Sequence, residues 1–243
     1  MMTQRRDAED TTIARKQLVR MATGDIRAYP RYSIDEAAHH LRIPVSTLKS
    51  WVRGYKRKDK AGKVRKFEGV LKLADPERGL LSFFNLAEAY VLRFARRRDV
   101  PLNRVRLAME YIREHSAHEY PLLRKDFATR GKSVFIRELG IPLNASKHGQ
   151  FGIEEVLSKH LKGIKRGPDG LPEEIHPLLN MKISINLAYS SGEPVVAGTG
   201  IMVSILVSRT HAGDNPDEIA SDYGLDRNTI EQAINAYKRP KAA

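Results

Sequence analysis

Ile34-Asp35-Glu36-Ala37-Ala38-His39-His40-Leu41-Arg42-Ile43-Pro44-Val45-Ser46-Thr47-Leu48-Lys49-Ser50-Trp51-Val52 is the stretch on which the reading of this chain turns. It holds two short helical patterns with a tight turn between them. Ala38 is the small residue where two helices can cross closely, and Ile43 follows the turn. Leu48, Trp51 and Val52 form the inward stripe of the second helix. Opposite that stripe stand Ser46, Lys49, Ser50 and Arg53, at i, i+3, i+4 and i+7. Short hydrogen-bonding and cationic side chains on one exposed helix face suit the edges of bases in a major groove. Ser46, Thr47, Lys49 and Ser50 are the candidates for base edges. The competing reading is a helical hairpin used only for packing, with a solvated charged loop beside it.

The flanking sequence favours the first reading. Lys56 to Lys66 (KRKDKAGKVRK) is basic and turn-like around Gly62, and could form a wing. Such a wing lays Lys56, Arg57, Lys58, Lys63 and Arg65 on phosphates, with Arg53 beside them. Contacts of this kind supply salt-dependent affinity and position the protein, but read no sequence. Phe67 to Ala74 reads as a strand, followed by a turn at Asp75-Pro76-Glu77-Arg78-Gly79.

Charge is concentrated in the same region. The 243 residues carry 42 Lys+Arg and 29 Asp+Glu, a net charge of +13. Residues 1–66 alone hold 17 basic and 7 acidic side chains, whereas residues 181–243 hold 6 and 7. A clustered positive block attracts polyanions, which a uniform scatter would do far less.

Further along, Ala14, Leu18 and Met21 give a weak helical pattern. Ala87, Tyr90, Val91, Phe94 and Ala95 share one apolar helix face, which Pro101 ends. Asn103 can cap a next helix with the stripe Val105, Ala108, Met109 and Ile112. Ser133 to Leu139 looks like a strand. Ile153, Val156, Leu157, His160 and Leu161 form another helix face, stopped at Gly163. Ile164 to Pro177, with two Gly and three Pro, is the linker candidate.

A second helix–turn–helix pattern runs from Pro216 to Ile230, with Ala220 ten residues before Ile230, as Ala38 is before Leu48. Gly224 supplies its turn, Pro216 suits the first helical position and Asp226 can cap the second helix. Asp217, Glu218, Asp222, Asp226 and Glu231 surround it, so it would repel phosphate and suits protein contact instead.

Several chemistries are missing. Without cysteine there is no disulfide, Cys-zinc site, iron–sulfur cluster or thiol nucleophile. No Walker A or Gly-x-Ser-x-Gly motif occurs, and Gly198-Thr199-Gly200 lacks the third glycine of a dinucleotide fingerprint. His39-His40 and His115-x-x-His118 lack a third ligand nearby. No catalytic residue, metal or cofactor is expected, and no enzyme. The longest uncharged run, Pro194 to Ser208, has 15 residues against the roughly 20 of a bilayer span, and no signal peptide opens the chain. A cytoplasmic protein without a membrane segment is expected.

Residues 32–51 (Tyr32-Ser33-Ile34-Asp35-Glu36-Ala37 through Thr47-Leu48-Lys49-Ser50-Trp51) resemble the winged helix–turn–helix of MerR-like regulators, with Arg42 where that family usually has Gly. Gly192-Glu193-Pro194-Val195-Val196-Ala197-Gly198-Thr199-Gly200-Ile201 is similar to a tri-helical domain that recurs in antitoxins paired with PIN-type ribonucleases. Gly200 stands where its signature has Arg. The combination, with Arg78-Gly79-Leu80-Leu81-Ser82-Phe83-Phe84-Asn85-Leu86 between, resembles a large VapB-type antitoxin. The resemblance implies a homodimer that binds operator DNA and represses its operon. It also implies neutralisation of a PIN ribonuclease, with Gly192, Pro194, Gly198, Thr199, Gly200 and Ile201 on the partner side. The alternative is an autonomous MerR-like transcription regulator with no toxin.

The expected fold is mainly α (α+β). A flexible basic arm spans residues 1–28 and a winged helix–turn–helix domain residues 29–75. A central helical, dimerising region with short strands follows at 76–165, then a linker at 166–180 and a tri-helical domain at 181–243.

Overall fold

The computed structural model describes residues 24–58, 62–97, 100–139, 155–178 and 182–237. The weak helical pattern before residue 24 lies outside them. The fold is mainly helical with small sheets and begins with the helix–turn–helix.

Strand β1 (Tyr32–Ser33) leads directly into helix α1 (Ile34–Leu41). Ser33 and Glu36 make a reciprocal cap: the Glu36 amide donates to Ser33 Oγ at 3.2 Å, and the Ser33 amide to Glu36 Oε2 at 2.8 Å. Such a box satisfies two amides that the first helical turn leaves without partners. Arg42 ends α1 in a left-handed conformation (φ 52°, ψ 47°), and the Ile43 amide closes back on Ala38 O. Helix α2 (Val45–Arg53) starts after Pro44 and stops at Gly54. Ala38 and Leu48 are fully buried where the two helices cross.

The wing is a hairpin of β2 (Tyr55–Lys58) and β3 (Val64–Phe67), with Tyr55 opposite Phe67. The strand expected over Phe67 to Ala74 ends at Phe67. Beyond it the backbone finds other partners: Leu71 N donates to Trp51 O, and Ala74 N to the Asn85 side chain. Val70 and Leu71 are both buried, which an alternating strand face would not allow. The chain returns through β4 (Leu80–Leu81), paired antiparallel with β1.

Helix α3 (Phe83–Arg97) forms the centre of the main core, with Leu86, Ala87, Tyr90, Val91 and Phe94 fully buried. Helix α4 (Leu102–Glu114) packs Val105, Ala108, Met109 and Ile112 inward. Its N-cap is Pro101, not Asn103: Asn103 is its second residue and caps nothing. A π-helical turn, Phe127–Gly131, precedes α5 (Lys132–Glu138). The segment from Ser133 to Leu139 is therefore helical where a strand was expected. Its β-branched and aromatic residues yield to packing, because Phe135 and Leu139, one turn apart, both reach full burial.

Residues 155–162 form α6, which ends before Gly163. The Gly- and Pro-rich stretch expected to be a linker folds into β5 (Ile164–Arg166) and β6 (Pro172–Ile175). These pair with β7 (Ile183–Asn186) and β8 (Val195–Val196) in one antiparallel sheet of order β5-β6-β7-β8. Helices α7 (Val203–Ala212), α8 (Pro216–Tyr223) and α9 (Arg227–Tyr237) surround a second core of Val203, Leu206, Ile219, Ile230 and Ile234. Pro216 opens α8, Gly224 turns the chain at φ 62°, and Asp226 Oδ1 accepts from Thr229 N at 2.8 Å. None of the described helices is long and apolar enough to cross a membrane.

Candidate nucleic-acid interface

Helix α2 buries Leu48 and Trp51 and turns Ser46 and Arg53 fully outward. Lys49 lies between them, its Nζ 3.7 Å from Asp35 Oδ1 across the surface. An exposed pair of this kind contributes at most about 1 kcal/mol, so a phosphate or base edge can displace the carboxylate. Thr47 and Ser50 are half-buried. They line a groove of about 300 Å³ between α2 and α4, together with Trp51 and Arg96. Ser50 Oγ donates to Thr47 O at 2.7 Å. The outward face is thus Ser46, Lys49 and Arg53, while Thr47 and Ser50 sit on its shoulder.

Two glycines seat the wing against this helix. A Cβ on Gly54, which has φ +70°, would lie 1.9 Å from Phe67 O. One on Gly69 would lie 2.3 Å from Val52 O. Across the base of the hairpin the Tyr55 and Phe67 rings stack at 4.9 Å. The Arg106 guanidinium from α4 covers both rings, 5.7 and 5.3 Å from their centroids. It also donates to Glu68 O through Nε at 3.0 Å and Nη2 at 2.7 Å. Lys56, Lys58 and Lys63 are exposed along the wing. The side chains of Arg57 and Arg65 lie outside the described residues.

No local pattern marks Arg106 as a wing support, because its contacts arise only when α4 folds back over the hairpin. Arg93 is a similar case. Buried on α3, its Nη1 donates to Leu41 O and Pro177 O, both at 2.7 Å.

The C-terminal unit docks on α1. Tyr32 Oη donates to Gly192 O at 2.9 Å, and Arg31 Nη1 to Ser191 O at 2.6 Å. Arg42 Nη1 donates to Asn235 O and Ala236 O at the end of α9. The Tyr237 hydroxyl sits 3.2 Å from His40 Nδ1. Burial, then the neighbouring His39, holds the His40 imidazole down to about 4. Burial pushes the Glu193 carboxyl above its usual range. Their nearest atoms are 4.0 Å apart, too far for a hydrogen bond.

The Gly192–Ile201 motif builds this dock and the entry to α7. Gly192 has φ +83° and leaves no room for a side chain beside Tyr32 Oη. Val203 N donates to Pro194 O, and Val196 N to Ile201 O. Thr199 Oγ1 donates to Val196 O and accepts from Ile201 N. Gly200 has φ +74°, a conformation that suits glycine better than the Arg of the motif's usual form. Gly198 and Thr199 are exposed, Gly200 and Ile201 half-buried, and Pro194 buried.

Two family models divide the chain in this way. Residues 30–109 match the model described as "Putative DNA-binding HTH domain", and residues 183–237 match "Protein of unknown function (DUF433)". The chain therefore carries a helix–turn–helix DNA-binding domain toward its N-terminus and a DUF433 domain toward its C-terminus. It is also homologous to a VapB-type antitoxin. "Putative antitoxin VapB45" of Mycobacterium tuberculosis is 27% identical over 224 residues, covering 85% of this chain and 93% of the relative. "Uncharacterized protein Rv2308" of the same organism is 26% identical over 226 residues, covering 87% and 92%. The crystal structure of Rv2018 from Mycobacterium tuberculosis has the same fold. Its TM-score is 0.62 at 22% identity, over 85% of this chain and 98% of that one.

Proposed function

We propose that the protein is the antitoxin of a type II module, a homodimer that represses its own operon and neutralises a PIN-type ribonuclease. The observation that carries the DNA-binding part is the outward Ser46–Lys49–Arg53 face of α2 beside a basic wing seated by Gly54 and Arg106. Ser46 and Lys49 read base edges, with Thr47 and Ser50 on the shoulder of the helix. Arg53, Lys56, Arg57, Lys58, Lys63 and Arg65 hold phosphates. In this reading the winged helix–turn–helix acts as one unit and the C-terminal tri-helical unit faces the toxin. Gly198 and Thr199 are its exposed contact, while Gly192 and Pro194 shape the dock behind them. The likeness to a relative named as an antitoxin supports the toxin partner.

Replacing Lys49 and Arg53 by Ala in the full chain is expected to weaken binding to a duplex carrying the protein's promoter. It should also flatten the dependence of affinity on salt. Unchanged binding across a salt titration would remove the assignment of α2. Purification from the native operon is expected to bring down a short PIN-type ribonuclease. Intact promoter binding with no such partner would instead identify an autonomous regulator.

A further inference from the structure

Three arginines meet at the turn of the helix–turn–helix. Arg42, Arg93 and Arg96 line one pocket of about 270 Å³, whose remaining walls are the apolar Ile43, Pro44 and Leu178. Among the described residues no carboxylate lines it. Cations gathered in a concave site repel one another and raise the local potential, which an anion relieves.

Two of the three are fixed in place. Arg93 is buried and held by Leu41 O and Pro177 O. Arg42 leaves from a left-handed backbone and is held through Nη1 by the last carbonyls of α9. Arg96 is exposed, with no ion pair among the described residues. The pocket also adjoins Pro44, the N-cap of α2, where no side chain caps the first amides. Those amides, and the helix dipole, favour negative charge.

We propose that Arg42, Arg93 and Arg96 form a binding site for a phosphate group, supplied by the DNA backbone at the opposite end of α2 from the wing. The nine residues of α2 span about 13 Å at 1.5 Å each, close to the roughly 12 Å width of the major groove. Cations at both ends of the helix would then meet the two phosphate walls of one groove. The pocket stands on its own geometry; only the source of the phosphate rests on the DNA-binding reading.

The test uses full-length Arg96→Gln, which alters an exposed side chain. Binding to a promoter duplex is expected to weaken about five-fold at 0.15 M salt, with the slope of log affinity against log salt shallower by about 1. In parallel, inorganic phosphate without DNA is titrated against chloride at matched ionic strength, followed by thermal unfolding. Wild type is expected to be stabilised by phosphate and the variant not. An unchanged DNA slope with loss of the phosphate effect would keep the site and assign it to a free phosphate compound. No change in either measurement would overturn it. If the wild type binds no duplex at any salt, the DNA reading fails, and the phosphate titration alone judges the pocket.

Discussion

A single hydrogen atom is what Gly54 presents to the carbonyl of Phe67. A methyl group there would overlap it at 1.9 Å from backbone that cannot swing aside. Its φ of +70° with ψ of −163° is backbone open essentially to glycine alone, which adds a penalty on the order of 1–3 kcal/mol for any L side chain. Gly54→Ala is therefore expected to lower the melting temperature and displace the wing, costing affinity for duplex DNA as well. Equal melting and equal affinity in the variant would mean that the wing is seated by something else. Arg42, in the left-handed helical region at φ 52° and ψ 47°, carries a milder penalty of about 1 kcal/mol without being glycine. Its guanidinium holds the last carbonyls of α9, an interaction a glycine could not make, and this accounts for an Arg at a turn where the resemblance leads one to expect Gly.

At the scale of elements, the wing depends on α4 more than on its own two strands. Two-stranded ribbons are marginal alone, and this one is anchored through Arg106 over the Tyr55 and Phe67 rings. Arg106→Ala is expected to weaken promoter binding several-fold by loosening the wing, while the salt slope stays that of the wild type because no phosphate contact is lost. A slope shallower by about 1 would place Arg106 on the DNA itself. The two helices of the hairpin were legible in the sequence because their determinants are local: the small Ala38, Ile43 after the turn, and the stripe of Leu48, Trp51 and Val52. The segment after Phe67 was not, since a side chain of a later helix, Asn85, takes the hydrogen bond a strand partner would have taken. The pattern of Ser133 to Leu139 fitted a strand until Phe94 and Phe127 supplied a surface for Phe135. At the candidate interface, the spacing placed Ser46, Lys49, Ser50 and Arg53 on one face, of which Ser50 is half-buried at its shoulder. Arg93, Arg96 and Arg106 needed the tertiary fold to join it.

Across the whole molecule, two cores meet where α9 rests on α1, and His40 lies at the meeting point between Tyr32 and Tyr237. Glu36, His39 and Glu193 are the titratable neighbours that face it. Above about pH 6.5 His40 is neutral whether the chain is folded or not. Below that the unfolded chain takes up a proton that the folded one refuses until about pH 4. Stability is thus expected to fall as pH drops from 6.5 to 4, by up to about 3 kcal/mol, and the His40 contribution to the slope vanishes below. Denaturant unfolding of wild type and His40→Asn across that range checks this. Parallel profiles for the two proteins would exclude His40 as the cause.

The sheet of order β5-β6-β7-β8 carries a consequence for how the chain can be divided. Its middle pairing, β6 with β7, joins strands on either side of residues 176–182. A cut there would leave β7 with bare amides and carbonyls along one side, and β6 likewise. Exposed strand edges recruit other strands, including copies of themselves. The DUF433 unit released at that point would carry an adhesive border that the intact chain covers with its own β6. A fragment meant to behave as a monomer should therefore begin before Ile164, taking the β5–β6 hairpin with it.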